Sequence, residues 1–261
     1  EKDPFVSIDV DGVGELVQLL ESDPHIGAAI PKILYHPDNK EISLNNSTII
    51  NSFGVLVNYT GVACPNLVGQ QDRDDLSLTE TACGGIFMFP RKVYEQVGGF
   101  DEDLFLYHED HDLSWRIRLG GWKLMVTPRS VCYHHYNFNK GVHKFYRSEK
   151  NRLHILLKNM ESKTLVLISP ALVVVELAQI VHALIHGWLG LKMKSYFEIM
   201  GQLLLISRKR RYIRSFRKVS DKEISGLYQG AIAVSGMGNP LMNYILSPLL
   251  SVYWKLIRGW I

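Results

Sequence analysis

The chain has 261 residues, 46% of them hydrophobic and 21% charged, which supplies a sizeable core and excludes a disordered chain. Its 29 basic and 26 acidic residues leave a net charge of +3, too little to point to nucleic acid, and the excess is concentrated in RKRRYIRSFRK at 208–218. The cysteines Cys64, Cys83 and Cys132 include no CxxC pair, which excludes a disulfide framework and a structural zinc knot and favours a reducing compartment.

In such a compartment the sequons at Asn45, Asn46 and Asn58 stay bare. The opening EKDPFVSIDVDG has no basic-then-apolar leader, so no signal peptide is expected. Asp11 is placed to cap a helix with apolar positions Val13, Leu16, Val17 and Leu20, ending near Pro24. IGAAIPKIL (26–34) reads as a buried strand with Pro31 at an edge. Residues 41–80 are turn-rich with β-like pieces at 48–58. TACGGIFMFP (81–90) reads as a strand carrying a Gly pair, and RKVYEQVGG (91–99) as a short helix stopped by Gly-Gly.

Next comes YHEDHDLSWRIR (107–118), which crowds Glu109, Asp110 and Asp112 with His108 and His111 at the start of a helix ending at Gly120-Gly121. On that helix Leu113 and Ile117 stand at +3 and +7 from Asp110, and Asp112 pairs with Arg116 one turn on. Asp110 is therefore the carboxylate that looks inward. The helix N-terminus favours its charge, burial raises its pKa, and both suit a general base. An N-cap with a surface salt bridge is the plain alternative. A zinc HExxH site is excluded, because Asp112 stands four after His108.

WKLMVT and SVCYHHY read as two strands, and 142–159 as a helix. His134 and His135 point to opposite faces, so one at most joins a site; a structural His is the plain alternative. Gly84-Gly85 in a strand marks a close approach of backbone or ligand, or a bulge. Strands alternating with helices argue an α/β domain over 1–160.

Beyond it, residues 161–261 read as a helical, membrane-associated region. TLVLISPALVVVELAQIVHALIHGWLGL (164–191) holds a single formal charge, Glu176, and suits either a membrane span or an interfacial helix. The basic run suits an anionic cytoplasmic leaflet, and the Trp- and Tyr-bearing C-terminus suits interfacial anchoring.

Taken in order, G-G (84–85), V-G-G-F-D-E (97–102), E-D-x-D-L-x-x-R (109–116), G-G-W (120–122), the strand-end His and N-R-L-x-x-x-L-K-N (151–159) resemble the acceptor-side half of family 2 glycosyltransferases of the GT-A, Rossmann-like fold. The likeness is strongest to the rhamnosyltransferase-like group. DGVGELVQLLESDPHIGAAIPKIL (11–34) resembles the helix and strand after that family's sugar-nucleotide site.

The resemblance implies a partial GT-A domain, α/β in class, with Asp110 as catalytic base and Glu109 beside it. Gly84, Gly85, Asp112 and Arg116 would lie on the substrate side, and His134 in the shell of Mg²⁺ or Mn²⁺. The implied partners are a nucleotide-sugar donor, a lipid-linked or polysaccharide acceptor and the membrane, with no nucleic acid. Transfer inverts the sugar at the cytoplasmic face of the cell membrane, in polysaccharide or cell-envelope synthesis. The family's nucleotide-binding half, with its Asp-x-Asp metal motif, is missing; Asp9-Val10-Asp11 follows a strand but at too short a spacing, and aligns with a helix cap. The alternative is a catalytically incomplete remnant that binds membrane or a partner. A His/Asp metal hydrolase has no ligand triad of recognisable spacing.

Overall fold

The computed structural model describes residues 6–38, 48–135, 141–232 and 242–261. In chain order its first elements are β1 (Val6–Ile8), α1 (Gly12–Ser22), β2 (Ile26–Tyr35), β3 (Ile50–Ser52), β4 (Val55–Asn58), β5 (Ala63–Pro65) and β6 (Thr79–Glu80). They are followed by α2 (Arg91–Val97), α3 (Glu109–Leu119), β7 (Lys123–His134) and α4 (Gly141–Asn159). The helical region comprises α5 (Ser162–Ile185), α6 (Leu189–Gly201), α7 (Leu203–Phe216), α8 (Asp221–Ile224) and α9 (Ser247–Ile257), with β8 (Tyr228–Gln229) before α9.

The main sheet runs β1-β7-β2-β3, and β6 also pairs with β7. β2 and β7 are parallel, while β1, β3 and β6 run antiparallel to their neighbours. Every residue of β2 is buried, as its nearly unbroken apolar sequence requires of a strand covered on both faces. Pro31 lies within this central strand rather than at an edge, and is tolerated because the β2–β7 register shifts at Pro31/Lys32. The same shift lets WKLMVT and SVCYHHY form one strand where two were expected: Thr127 pairs with Pro31 and Val131 with Lys32, so 128–130 bulge without breaking β7.

TACGGIFMFP is not a strand. It passes between two sheets and forms one isolated β-bridge to each, Cys83 with Val55 of the small β5-β4-β8 sheet and Met88 with Ala29 of the main one.

Two apolar cores meet at α3. Leu113 and Ile117 pack with Ala28, Ile30, Leu124 and Val126 of the sheet and with Val93 and Val97 of α2. Trp115 and Leu119 pack on the other side with Ile155, Leu156, Ile168, Val175, Ile213 and Trp254. Residues 111–119 are consequently all buried, leaving the first turn, Glu109 and Asp110, as the part of α3 that reaches the surface. The second core crosses residue 160 and ties the helical region to the α/β layer.

α5 is the one helix among the described residues long and apolar enough to cross a membrane. Its inward stripe includes Thr164, Ile168, Ala171 and Val175, and its outward stripe Val166, Val173, Leu177, Val181 and Leu184 is exposed. The sequons at Asn45 and Asn46 lie outside the described residues; Asn58 is buried and its Nδ2 donates to the carbonyls of Gln229 and Gly230.

Candidate active site

The first turn of α3 is entered from an unusual backbone. Phe105, Tyr107 and His108 have φ of +53°, +70° and +67°, a region that side-chain-bearing residues seldom occupy and that clusters at functional sites. His108 is the N-cap residue, yet its side chain caps nothing. Its Nδ1 lies 3.2 Å from His111 Nδ1 and its Nε2 lies 3.1 Å from Ser148 Oγ. Burial pushes both imidazoles down to about 3, so the pair is neutral and one ring donates to the other.

Asp110, partly buried, stands at the open end of the helix. Burial, and then the neighbouring Glu109 carboxylate, push its pKa up to about 6, against the His111 N–H that donates to Oδ1 at 2.7 Å. Glu109 is raised as well, by burial, and its Oε2 has no partner among the described residues. A carboxyl raised toward neutrality at the solvent-reaching end of a helix can hold or release a proton in turnover.

Gly85 lies beside this carboxylate. It is exposed, and a Cβ there would stand 3.5 Å from Asp110 Oδ2. Gly84 is buried: a Cβ would meet Ile30 Cδ1 at 2.6 Å, and its N–H donates to Ser114 Oγ at 3.3 Å. The Gly pair therefore lets the 81–90 segment lie against β2 and leaves room beside Asp110.

Asp112 and Arg116, expected on the substrate side, turn into the protein. Asp112 is 0% exposed and accepts from Arg116 Nε at 2.8 Å, Lys158 Nζ at 2.7 Å and Asn159 Nδ2 at 2.9 Å. Burial alone would raise its pKa, but Lys158 and Arg116 hold it below the usual carboxylate range. The Arg116 guanidinium also donates to the carbonyls of Val97, Gly98 and Gly99, gripping the end of α2. These two side chains thus set the position of α3, and no polar atom of theirs is left over for a ligand.

His134 ends β7 with Nδ1 3.3 Å from Asn51 Oδ1, while His135 stacks on His36 with ring centroids 3.8 Å apart. Ile30 pairs with Val126 and Tyr35 with His134, so His134 lies about 17 Å along the strand from the level at which Gly84 packs. That span is the scale of a nucleotide-sugar, and too long for one ion to join His134 to Asp110. Asp9 and Asp11 are exposed beyond β1. Among the described residues no three His, Cys, Asp or Glu side chains converge to hold a metal. The Mg²⁺ or Mn²⁺ shell expected around His134 is therefore not formed by these side chains.

Four further residues of the cluster had no role assigned from the sequence. Asn151, Arg152, Lys158 and Asn159 are buried polar residues of α4. The available signal was that polar side chains share the apolar face of a periodic helix, where burial demands a partner.

Residues 76–141 match the family described as the N-terminal domain of galactosyltransferase. The N-acetylglucosaminyl-diphospho-decaprenol L-rhamnosyltransferase of Mycobacterium tuberculosis is 40% identical over 52 residues, 20% of this chain and 17% of that protein. An uncharacterized protein of Sinorhizobium fredii is 26% identical over 137 residues, 50% of this chain and 14% of its own length. The chain thus spans less than a fifth of each of these relatives. A crystal structure of GalNAc-T7 with UDP, GalNAc and Mn²⁺ superposes with a TM-score of 0.43 at 17% identity, covering 61% of this chain and 31% of that one. The segment matched by the family model carries Gly84, Gly85, Asp110 and His134, and over it the chain is similar to glycosyltransferases.

Proposed function

We propose that this chain forms the acceptor side of an inverting glycosyltransferase, in which a nucleotide-sugar is the donor, a lipid-linked or polysaccharide hydroxyl is the acceptor and Asp110 is the general base. The acceptor hydroxyl gives its proton to Asp110 while its oxygen attacks the anomeric carbon. The new C–O bond forms on the face opposite the departing nucleoside diphosphate, which takes the electrons of the broken sugar–phosphate bond, and the configuration inverts. Burial, aided by the Glu109 carboxylate, keeps the Asp110 pKa near neutrality, and Gly85 leaves space for the acceptor. The observation that carries this reading is the raised Asp110 carboxyl across from Gly85. The name of the mycobacterial relative supports a lipid-linked acceptor.

The same reading puts the protein on the cytoplasmic face of the cell membrane. The outward stripe of α5 and the exposed Arg208, Arg211 and Arg214 of α7 support this placement. Glu176 favours a helix lying on the bilayer over one crossing it. Midway along α5, its carboxylate pairs with Arg152 of α4 and with Lys192 of α6, the latter at 2.8 Å, and insertion would break both pairs.

The test is transfer of labelled sugar from a panel of UDP-, GDP- and dTDP-sugars to a polyprenyl-diphosphate acceptor, with wild type and Asp110→Asn. Loss of about a thousandfold in the variant is expected for removal of a general base. Turnover near wild type in Asp110→Asn would remove the base from the mechanism. Failure of the wild type with every donor would favour a catalytically incomplete protein that binds membrane or a partner.

A further inference from the structure

The left-handed segment ahead of Asp110 does not hold itself. Asn151 of α4 is 0% exposed, and its Nδ2 donates to the carbonyls of Leu104 at 2.8 Å, Leu106 at 3.0 Å and Tyr107 at 2.7 Å. Two neighbours on the same helix reach the same segment. Ser148 Oγ meets His108 Nε2, and the Arg147 guanidinium lies 5.4 Å from the Phe105 ring centroid. Each of the three left-handed residues is thereby held from α4: Phe105 through Arg147, Tyr107 through Asn151, His108 through Ser148.

This backbone is costly and would relax without its partners. What it sets is the entry of the chain into α3, because the His108 carbonyl accepts from Asp112 N–H at 2.9 Å and so begins the helix. Asp110 lies two residues beyond His108. The core of α3 is fixed by Leu113, Trp115, Ile117 and Leu119, so relaxation of 104–108 falls on the first turn alone.

We propose that Asn151 is a positioning residue, whose amide, with Ser148 one turn before it, holds 104–108 in the path that presents Asp110 to the acceptor. The inference rests on Asp110 acting as base. Asn151 touches neither acceptor nor donor; it acts through the three carbonyls. A sheet or turn motif could have set the same path with glycines, but here no residue from Leu104 to His108 is Gly, so the conformation depends on an outside clamp.

The experiment compares the full chain with Asn151→Leu, which keeps the volume and removes the donors, and with Ser148→Ala, a milder change available should the first fail to fold. Amide hydrogen exchange is expected to quicken at least tenfold over 104–112 in either variant and to stay unchanged in β2 and β7. Turnover is expected to fall about a hundredfold in Asn151→Leu with KM within about threefold, as for a base displaced by the order of 1 Å. Combining the change with Asp110→Asn separates positioning from general weakening. If Asn151 acts through Asp110, the double variant loses nothing beyond Asp110→Asn alone. Unchanged exchange over 104–112, or a full additional loss in the double variant, would overturn the inference. Wild-type turnover in Asp110→Asn by itself would instead remove the base on which it rests, while the exchange result would still decide whether the clamp exists.

Discussion

Asp110→Asn is expected to make the protein more stable while removing its activity. The folded-state pKa is raised from 3.8 to about 6, a shift of about two pH units, and each unit corresponds to about 1.4 kcal/mol. Because Asp110 keeps an open face, solvent trims the resulting 3 kcal/mol to about 2 kcal/mol. The sign follows from the direction of the shift. An acid whose folded pKa is raised favours folding while protonated, below about pH 4, and loses that contribution as pH climbs through about 6. Asparagine never ionises, and its Oδ1 can still accept the His111 N–H. Urea denaturation at pH 4 should therefore find the two proteins within about 0.5 kcal/mol, and at pH 7.5 should find Asp110→Asn ahead by about 2 kcal/mol. A variant equal to or weaker than wild type at pH 7.5 would refute the claim that Asp110 is held ionised against its surroundings.

Its neighbour two residues on should behave oppositely. Asp112→Asn leaves Lys158 and Arg116 without their shared carboxylate and should cost about 3–5 kcal/mol at pH 7 by the same denaturation assay, the gap closing as pH falls below about 4, since this pKa is lowered. Lys192→Met removes the ammonium, 0% exposed, between Glu149 and Glu176 and should cost about 3–5 kcal/mol; a thermal midpoint unchanged from wild type would show that the network contributes nothing. The two glycines should separate as well. Gly84→Ala forces its Cβ against Ile30 and should cost about 1–3 kcal/mol. Gly85→Ala should fold normally and raise the acceptor KM, and a lowered melting temperature with unaltered kinetics would reverse that assignment.

How far the site was legible depended on where the information lay along the chain. The extent of α3 was legible, its end from Gly120-Gly121 and its start near Glu109 from the acidic first turn and the Leu113/Ile117 spacing, because these are local signals. The Asp112–Arg116 pair follows from the same helical geometry, but the expectation that Asp110 is the inward carboxylate is reversed: Asp112 is the fully buried one and Asp110 sits at the open first turn, because elements packed around α3 bury 111–119 on all sides. The strand expected at 81–90 failed for a non-local reason: Cys83 and Met88 bridge different sheets, and no local pattern encodes a crossing. The left-handed turn before α3 was invisible for a similar reason. Phe105, Tyr107 and His108 carry no turn signature, and the residues that hold them, Arg147, Asn151 and Ser148, lie forty or more positions away on α4. Substrate roles for Asp112 and Arg116 failed because a motif records which residues recur together and says nothing about whether they face a ligand or one another.

The measurement that tests the central claim most directly is the pH dependence of kcat/KM for sugar transfer between pH 4.5 and 8. A base titrating at about 6 in the free enzyme should give an acid limb that rises tenfold per pH unit and levels above about pH 7. A rate that is flat from pH 5 upward would contradict it, and would mean that the acceptor loses its proton to some group other than Asp110.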